Sequence, residues 1–344
     1  MSKIARIGLI GAGAIGSHHA QNIARNISNA KLAAVADVKV EAAKKIASNL
    51  GVHDVSSDFR QILKDESIDA VVIAVPTFLK REILVESAEA GKQIFCEKPF
   101  TLRLADADEA IAAVSKSGVM LQMGFMRRFD ASHVRAREAV SSGELGTVQM
   151  INSYGRDTSP GPGWATDPKR SGGIFFENLS HDFDAIRWIA QSEVTRVYAE
   201  GTVLSEKIRR AGDYENVVVT VKMEKGMIGT VDSSSTNSYG FDQHVDVLGT
   251  EGAVLMSAGT LSNSKIVKKD GIVNDMPHTY VERFAQAYRD EMIDFVNCVL
   301  NGHEPRSTGK DGRAAVEIGL AAWSSAKRNQ PISLPLSPRD YIPF

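Results

Sequence analysis

The stretch IARIGLIGAGAIGSHHA, residues 4–20, joins a short apolar run to a glycine turn. Residues 4–10 read as a strand with both faces buried, as in a parallel sheet. Gly11 makes the tight turn, Gly13 lets backbone approach a pyrophosphate, and Gly16 permits close helix–sheet packing. The helix that follows directs its N-terminal N–H groups and its dipole at the phosphates. A lone G-x-G-x-x-G is weak, because glycine turns are common. Here a strand precedes it, a helix follows, and a second strand over residues 31–36 ends in Asp37. Asp37 lies 21 residues after Gly16, where an acidic side chain binds ribose hydroxyls. The pattern therefore predicts a dinucleotide site built from Gly11, Ala12, Gly13, Ala14, Ile15, Gly16, Asp37 and Val38. The alternative is an unliganded turn with Asp37 capping a helix. A carboxylate at position 37 accepts from a 2′-hydroxyl and repels a 2′-phosphate, which favours NAD over NADP; Lys39 offsets part of that repulsion.

Outward from this motif, strands and helices alternate up to about residue 124. Apolar runs fall at 70–75, 93–96 and 119–123, and helical stretches at 79–90 and 104–117. This rhythm predicts a doubly wound parallel sheet. Ligands of such sheets bind outside the carboxyl ends of the strands. Pro76-Thr77 and Glu97-Lys98-Pro99 stand at two of those ends, so Pro76, Thr77, Glu97 and Lys98 join the expected cofactor set. Pro99 is a candidate cis proline.

Beyond a helix at 130–142 the rhythm changes. Val-, Thr- and Ile-rich segments at 148–154, 193–204, 215–222, 226–234, 244–248 and 253–256 are separated by short turns, one of them Glu224-Lys225-Gly226. They predict a large, open, mostly antiparallel sheet. Helices at 281–300 and 310–327 close the chain. The expected division is residues 1–124 for a dinucleotide-binding domain and 125–344 for an α/β substrate domain.

Residues 155–173, GRDTSPGPGWATDPKRSGG, contain three prolines and five glycines and predict an irregular segment. Its length points to a substrate-facing lid, or else an exposed crossover. A helix carrying Glu177 and His181 follows. At about 100° per residue, with Glu177 at zero, His181 falls near 40°, Asp184 near 340° and Trp188 near 20°. Leu179, Phe183, Ile186 and Ala190 fall on the opposite side, predicting a polar stripe facing away from the core. A histidine one turn from a carboxylate on that stripe suits a general base; a lone helical histidine is more often structural or solvated. One Glu/His pair is too few ligands to argue for a metal.

Composition excludes other classes. Hydrophobic residues make up 43% and charged residues 24%, so the bulk of the chain is not disordered. With 40 basic and 42 acidic side chains there is no basic excess for nucleic acid. No run reaches transmembrane length, and the N-terminal apolar run, broken by Arg6, reads as strand rather than signal peptide. Two cysteines, Cys96 and Cys298, fit a reducing, cytoplasmic setting and buried structural roles; Cys96 beside Glu97-Lys98 leaves a reactive thiol open.

Taken together, the glycine turn, Glu97-Lys98-Pro99, Met126-Arg127-Arg128-Phe129-Asp130, Ser171-Gly172-Gly173 and His181-Asp182-Phe183-Asp184 resemble the glucose–fructose oxidoreductase/inositol dehydrogenase/MocA family over nearly the whole chain. Tyr239-Gly240-Phe241-Asp242-Gln243-His244-Val245, and the tail with Glu282-Arg283-Phe284 and Tyr288, are similar to its inositol dehydrogenase branch. The resemblance implies a Rossmann domain, a second α/β domain whose open sheet serves oligomerisation into dimers or tetramers, and a Lys–Asp–His catalytic set. Lys98 and His181 match two of its positions. Glu177 stands where aspartate is usual, which keeps the charge and lengthens its reach. The activity so implied is NAD-dependent oxidation of a secondary alcohol of a cyclic polyol or sugar, at the 2-position of an inositol. Another sugar, or a sensor that binds without turnover, are the alternatives. Arg127, Asp157 and Tyr239 are candidates for the remaining substrate hydroxyls, or else surface or interdomain residues.

Overall fold

A computed structural model describes residues 3–161, 163–262 and 264–344. Two compact units make up the chain: Met1–Met126 with Gln286–Arg313, and Arg127–Ala285 with Ala314–Phe344.

The first unit is a six-stranded parallel sheet: β1 (Ala5–Ile10), β2 (Ala30–Ala36), β3 (Asp54–Ser56), β4 (Ala70–Ile73), β5 (Gln93–Glu97) and β6 (Leu121–Gly124). Its order is β3-β2-β1-β4-β5-β6, so the direction of winding reverses between β1 and β4. Helices α1 (Ala14–Gln21), α2 (Val40–Leu50), α3 (Arg60–Lys64), α4 (Lys80–Glu89) and α5 (Leu104–Ser117) connect the strands. The expected strands and crossovers are all present, and β3 and α3 are additional.

The expected domain division needs correcting. Residues 286–313 belong to the first unit, not the second. Met292, Phe295 and Val296 are fully buried in one cluster with Ile7, Leu9, Val35 and Phe95. Each such side chain contributes about 2 kcal/mol to that core. Ser307 and Thr308 pair with the outer edge of β6: the Ser307 hydroxyl donates to the Met123 carbonyl at 2.5 Å, and Thr308 bridges to Gln122. A strand edge that would otherwise stay open is thereby covered.

The second unit contains α6 (Ala131–Ser141), β7 (Val148–Arg156), α7 (Pro168–Ser171), α8 (Ile174–Glu177), α9 (Ser180–Ala190), β8 (Val194–Thr202), α10 (Glu206–Ala211), β9 (Asn216–Met223), β10 (Ile228–Ser234), β11 (Asp242–Gly249), β12 (Ala253–Leu255) and a hairpin of β13 (Lys265–Lys268) with β14 (Gly271–Asn274). The helices α11 (Tyr280–Asn301) and α12 (Gly309–Arg328) and the short β15 (Ile332–Ser333) follow. α11 and α12 each cross between units, α11 just after a break in helical geometry at Phe284.

The second sheet runs β12-β11-β7-β10-β9-β8-β15. It is antiparallel except for the parallel pair β7–β10. Strict alternation buries Val217, Val219, Val221 and Met223 on one face of β9. Val218, Ile228 and Leu248 stand half-exposed on the other side of the alternation. The segment expected to be irregular is shorter than its composition suggested. Its first two residues finish β7, and Pro168–Ser171 forms one helical turn, started by Pro168 after an Asp167 cap. Pro162 of that segment lies outside the described residues.

Candidate active site

At the carboxyl edge of the first sheet the expected cofactor residues assemble. The glycine turn follows β1, Asp37 and Val38 follow β2, Pro76 and Thr77 follow β4, and Glu97 ends β5 with Lys98 next. Winding reverses between β1 and β4, which is where open α/β sheets bind ligands. The turn itself demands glycine. Gly11 has φ +104°, and a Cβ there would lie 2.4 Å from the Ala74 carbonyl oxygen; a Cβ at Gly16 would lie 2.0 Å from that of Gly11.

Whether the edge fits a dinucleotide can be judged from its own atoms. Gly13 caps α1 without any side-chain hydrogen bond, and a Cβ built on it would meet nothing within 4 Å. Gly13 and Ala14 are exposed, which leaves the helix N-terminus open to a bound pyrophosphate. One Asp37 oxygen accepts the Ala12 N–H and the other the Lys39 N–H, both at 2.7 Å. The carboxylate is fixed beside the glycine turn and only half-buried. Val38 next to it is exposed, and Ala12 and Thr77 are buried. These residues fit a dinucleotide whose ribose meets Asp37.

Asp37→Ser is expected to weaken NAD binding about tenfold, through loss of charge-assisted hydrogen bonds, and to raise the relative efficiency with NADP. Steady-state kinetics with both cofactors checks this. An unchanged ratio would mean that Asp37 does not read the ribose.

Lys98 sits half-buried directly after β5, and its peptide bond to Pro99 is cis. Glu97 beneath it is buried and accepts from His19 Nε2 at 2.7 Å. Burial alone would push the Glu97 carboxyl up. The His19 hydrogen bond and the charges of His19, Lys98 and Lys80 outweigh that and hold it below its usual range. Cys96 is fully buried, and burial pushes its thiol up to about 11. It is a packed side chain rather than a nucleophile.

His181 lies in the first turn of α9 and is 7% exposed. Glu177 ends α8, and Asn178 and Leu179, both with right-handed helical dihedrals, join the two helices. The single continuous helix read from the sequence is therefore two pieces. The expected polar stripe also needs correcting, since every residue from Ser180 to Arg187 is buried. Its carboxylates are satisfied by arginines. Asp182 accepts from Arg127 Nη1 at 2.7 Å and from the Ser153 hydroxyl at 2.6 Å. Asp184 accepts from Arg128 Nε at 2.9 Å and Nη2 at 2.6 Å. Breaking such a buried pair by removing one partner costs about 3–5 kcal/mol. The pairs tie the first turns of α9 to β7 and to the Met126–Phe129 turn.

Sequence reasoning missed these pairs. Their signal was two adjacent arginines, Arg127 and Arg128, matched by two carboxylates at alternate positions. Arg127, a substrate candidate, is 3% exposed and also bonded to Gln243. Asp157 accepts from the Asn178 side chain, one residue after Glu177. Tyr239 is exposed and donates to Asp242 at 2.8 Å.

Asp213 also escaped notice. It is buried and accepts the N–H of Ile174, at the start of the segment carrying Glu177, and the N–H of Tyr214, its own neighbour. Burial pushes its carboxyl up to about 6; the two N–H groups and Lys327 oppose this, while Glu177 adds to it. Because the folded value is raised, the penalty is absent below about pH 4 and grows as pH rises toward 6, reaching about 3 kcal/mol. Relative to Asp213→Asn, the wild type is expected to lose melting temperature across that interval. Parallel melting curves for the two proteins would contradict a raised Asp213.

A sheet edge of this kind marks the class of Rossmann-fold, dinucleotide-dependent oxidoreductases. Residues 5–125 match the oxidoreductase family with an NAD-binding Rossmann fold, and residues 133–255 match the GFO/IDH/MocA C-terminal domain. The chain belongs to this GFO/IDH/MocA family. It is 34% identical to a scyllo-inositol 2-dehydrogenase (NAD(+)) of Bacillus subtilis, over 97% of each chain. It is 36% identical to a myo-inositol 2-dehydrogenase of Thermotoga maritima, over 96% of this chain and 98% of the other. Among solved structures, scyllo-inositol dehydrogenase from Lactobacillus casei with bound NAD(H) and scyllo-inositol superposes with a TM-score of 0.90 at 29% identity, covering 96% of this chain and 99% of that one. No helix among the described residues is long and apolar enough to cross a membrane.

Proposed function

We propose that this protein is an NAD-dependent dehydrogenase that oxidises a secondary alcohol of a cyclic polyol, converting myo- or scyllo-inositol to the keto-inositol. The observation that carries this reading is Lys98 at the end of β5, on the same sheet edge as the glycine turn and Asp37. Full-length similarity to inositol dehydrogenases supports the substrate class.

NAD held at this sheet edge would supply the acceptor for the hydride of the carbinol carbon. The protein's own residues manage the oxygen and its proton. His181 takes the hydroxyl proton as the C–H electron pair departs, leaving a ketone. Glu177 orients the imidazole and favours its protonated form. Lys98 hydrogen-bonds the same oxygen and stabilises the negative charge that develops there. Asp157 and Tyr239 serve the remaining hydroxyls. Arg127 acts through Asp182, by holding α9. The first unit binds the cofactor, and the second binds substrate and, through the open face of its sheet, assembles dimers or tetramers in the cytoplasm.

The test is NADH absorbance with a panel of myo-inositol, scyllo-inositol, glucose and other aldoses. Turnover of an inositol well above that of the aldoses is expected. Turnover of an aldose alone would move the assignment to another sugar.

A further inference from the structure

Two buried polar side chains of the first unit have no part in the chemistry described above, and both converge on the backbone around Lys98. Lys80, in the first turn of α4, is 1% exposed. Its ammonium donates to the carbonyl of Glu97 at 2.5 Å and to that of Pro99 at 2.6 Å, one on each side of Lys98. His19, in α1, is fully buried, with its ring edge-on to Phe95 and Tyr288. It donates to one Glu97 oxygen, and the other accepts the Lys98 backbone N–H at 3.1 Å.

Burying an ammonium costs several kcal/mol unless its donors are met. A methionine would fill the same space without that cost. What the charge provides is a link across Lys98, from the carbonyl of the last β5 residue, Glu97, to that of Pro99 two residues beyond it. Fixing the carbonyls before and after Lys98 fixes its backbone dihedrals and hence its Cα–Cβ direction. The His19–Glu97 pair holds the Lys98 N–H from the other side. A catalytic group displaced by about 1 Å can lose a hundredfold in rate.

We propose that Lys80 and His19 are positioning residues that aim the Lys98 ammonium at the reacting oxygen. This rests on the reading of Lys98 as the group that stabilises that oxygen.

The experiment uses the full-length protein carrying Lys80→Met, His19→Ala or His19→Gln, each with Lys98 present or replaced by methionine. Single-turnover NADH formation is followed with myo- and scyllo-inositol, NADH binding by fluorescence, and hydrogen exchange over residues 97–101. Lys80→Met is expected to lower the rate about 10- to 100-fold, with NADH binding and inositol KM changed less than about threefold. Exchange over 97–101 should quicken about tenfold or more while β1 and β4 keep their protection. In the Lys98→Met background the same substitution should change the residual rate less than about threefold, as groups acting through one another do. His19→Gln, which keeps a donor where Nε2 stood, should recover most of the rate lost in His19→Ala.

Equal rate losses in both backgrounds, or unchanged exchange over 97–101, would overturn the proposal. If Lys80→Met does not fold, the His19 pair decides, and a His19→Ala protein as fast as wild type would overturn it. A Lys98→Met protein with normal turnover would instead sink the reading of Lys98, leaving exchange to report on the clamp alone.

Discussion

Replacing His181 with alanine is expected to lower the rate of alcohol oxidation by about a hundred- to ten-thousand-fold, the range set by losing a general base. The pH dependence should change with it. A base must be neutral to accept a proton, so the wild-type rate should rise with pH to a plateau, and that limb should vanish in His181→Ala. The variant should otherwise fold normally, because the ion pairs that hold α9 belong to Asp182 and Asp184. Glu177 separates two versions of this role. On the proposed reading the Glu177 carboxylate stabilises the imidazolium, so Glu177→Gln should move the limb to lower pH and slow turnover. If the site is shaped around the longer carboxylate, Glu177→Asp should misplace the ring and also lose activity. Unchanged rates and profiles in both Glu177 variants would mean that the two side chains are not coupled, leaving Glu177 a structural residue at the end of α8.

Lys98→Met carries the other large effect. Removing one donor aimed at developing negative charge typically costs a hundred- to a thousand-fold in kcat. NADH affinity should survive, because the proposed reading assigns the phosphates to the glycine turn and the ribose to Asp37. A folded Lys98→Met protein with near-normal kcat would remove Lys98 from the chemistry. Strongly weakened NADH binding with little loss in kcat at saturation would make it a cofactor contact instead.

The first sheet was legible because its rules are local. Glycines at fixed spacing, an acidic residue at the next strand end and fully apolar strands each have one physical explanation, and all agreed. The return of residues 286–313 was not legible, because an amphipathic helix does not say which core its apolar face joins. Met292, Phe295 and Val296 look the same in sequence whichever unit they fill. The parallel β7–β10 pair was hidden for a similar reason, since short turns argue for antiparallel neighbours and say nothing of strands that meet from afar. In the candidate site, wheel geometry placed Asp184 on a polar stripe and so on the surface. That inference fails where a buried arginine waits, and Arg128 supplies one at 2.6 Å. Lys80 and His19 were unreadable as site residues because their partners are backbone carbonyls and a carboxylate distant in sequence.

Dehydrogenation and mere binding are separated most directly by following the hydrogen itself. The protein is incubated with NAD and myo- or scyllo-inositol deuterated at the carbinol carbon, and the nicotinamide product is read by mass spectrometry and NMR. The expected result is NADH carrying one deuterium at C4, formed together with a keto-inositol, from wild type and not from His181→Ala. Saturable binding of NADH and inositol without transfer of deuterium would contradict the assignment and make the protein a sensor rather than an enzyme.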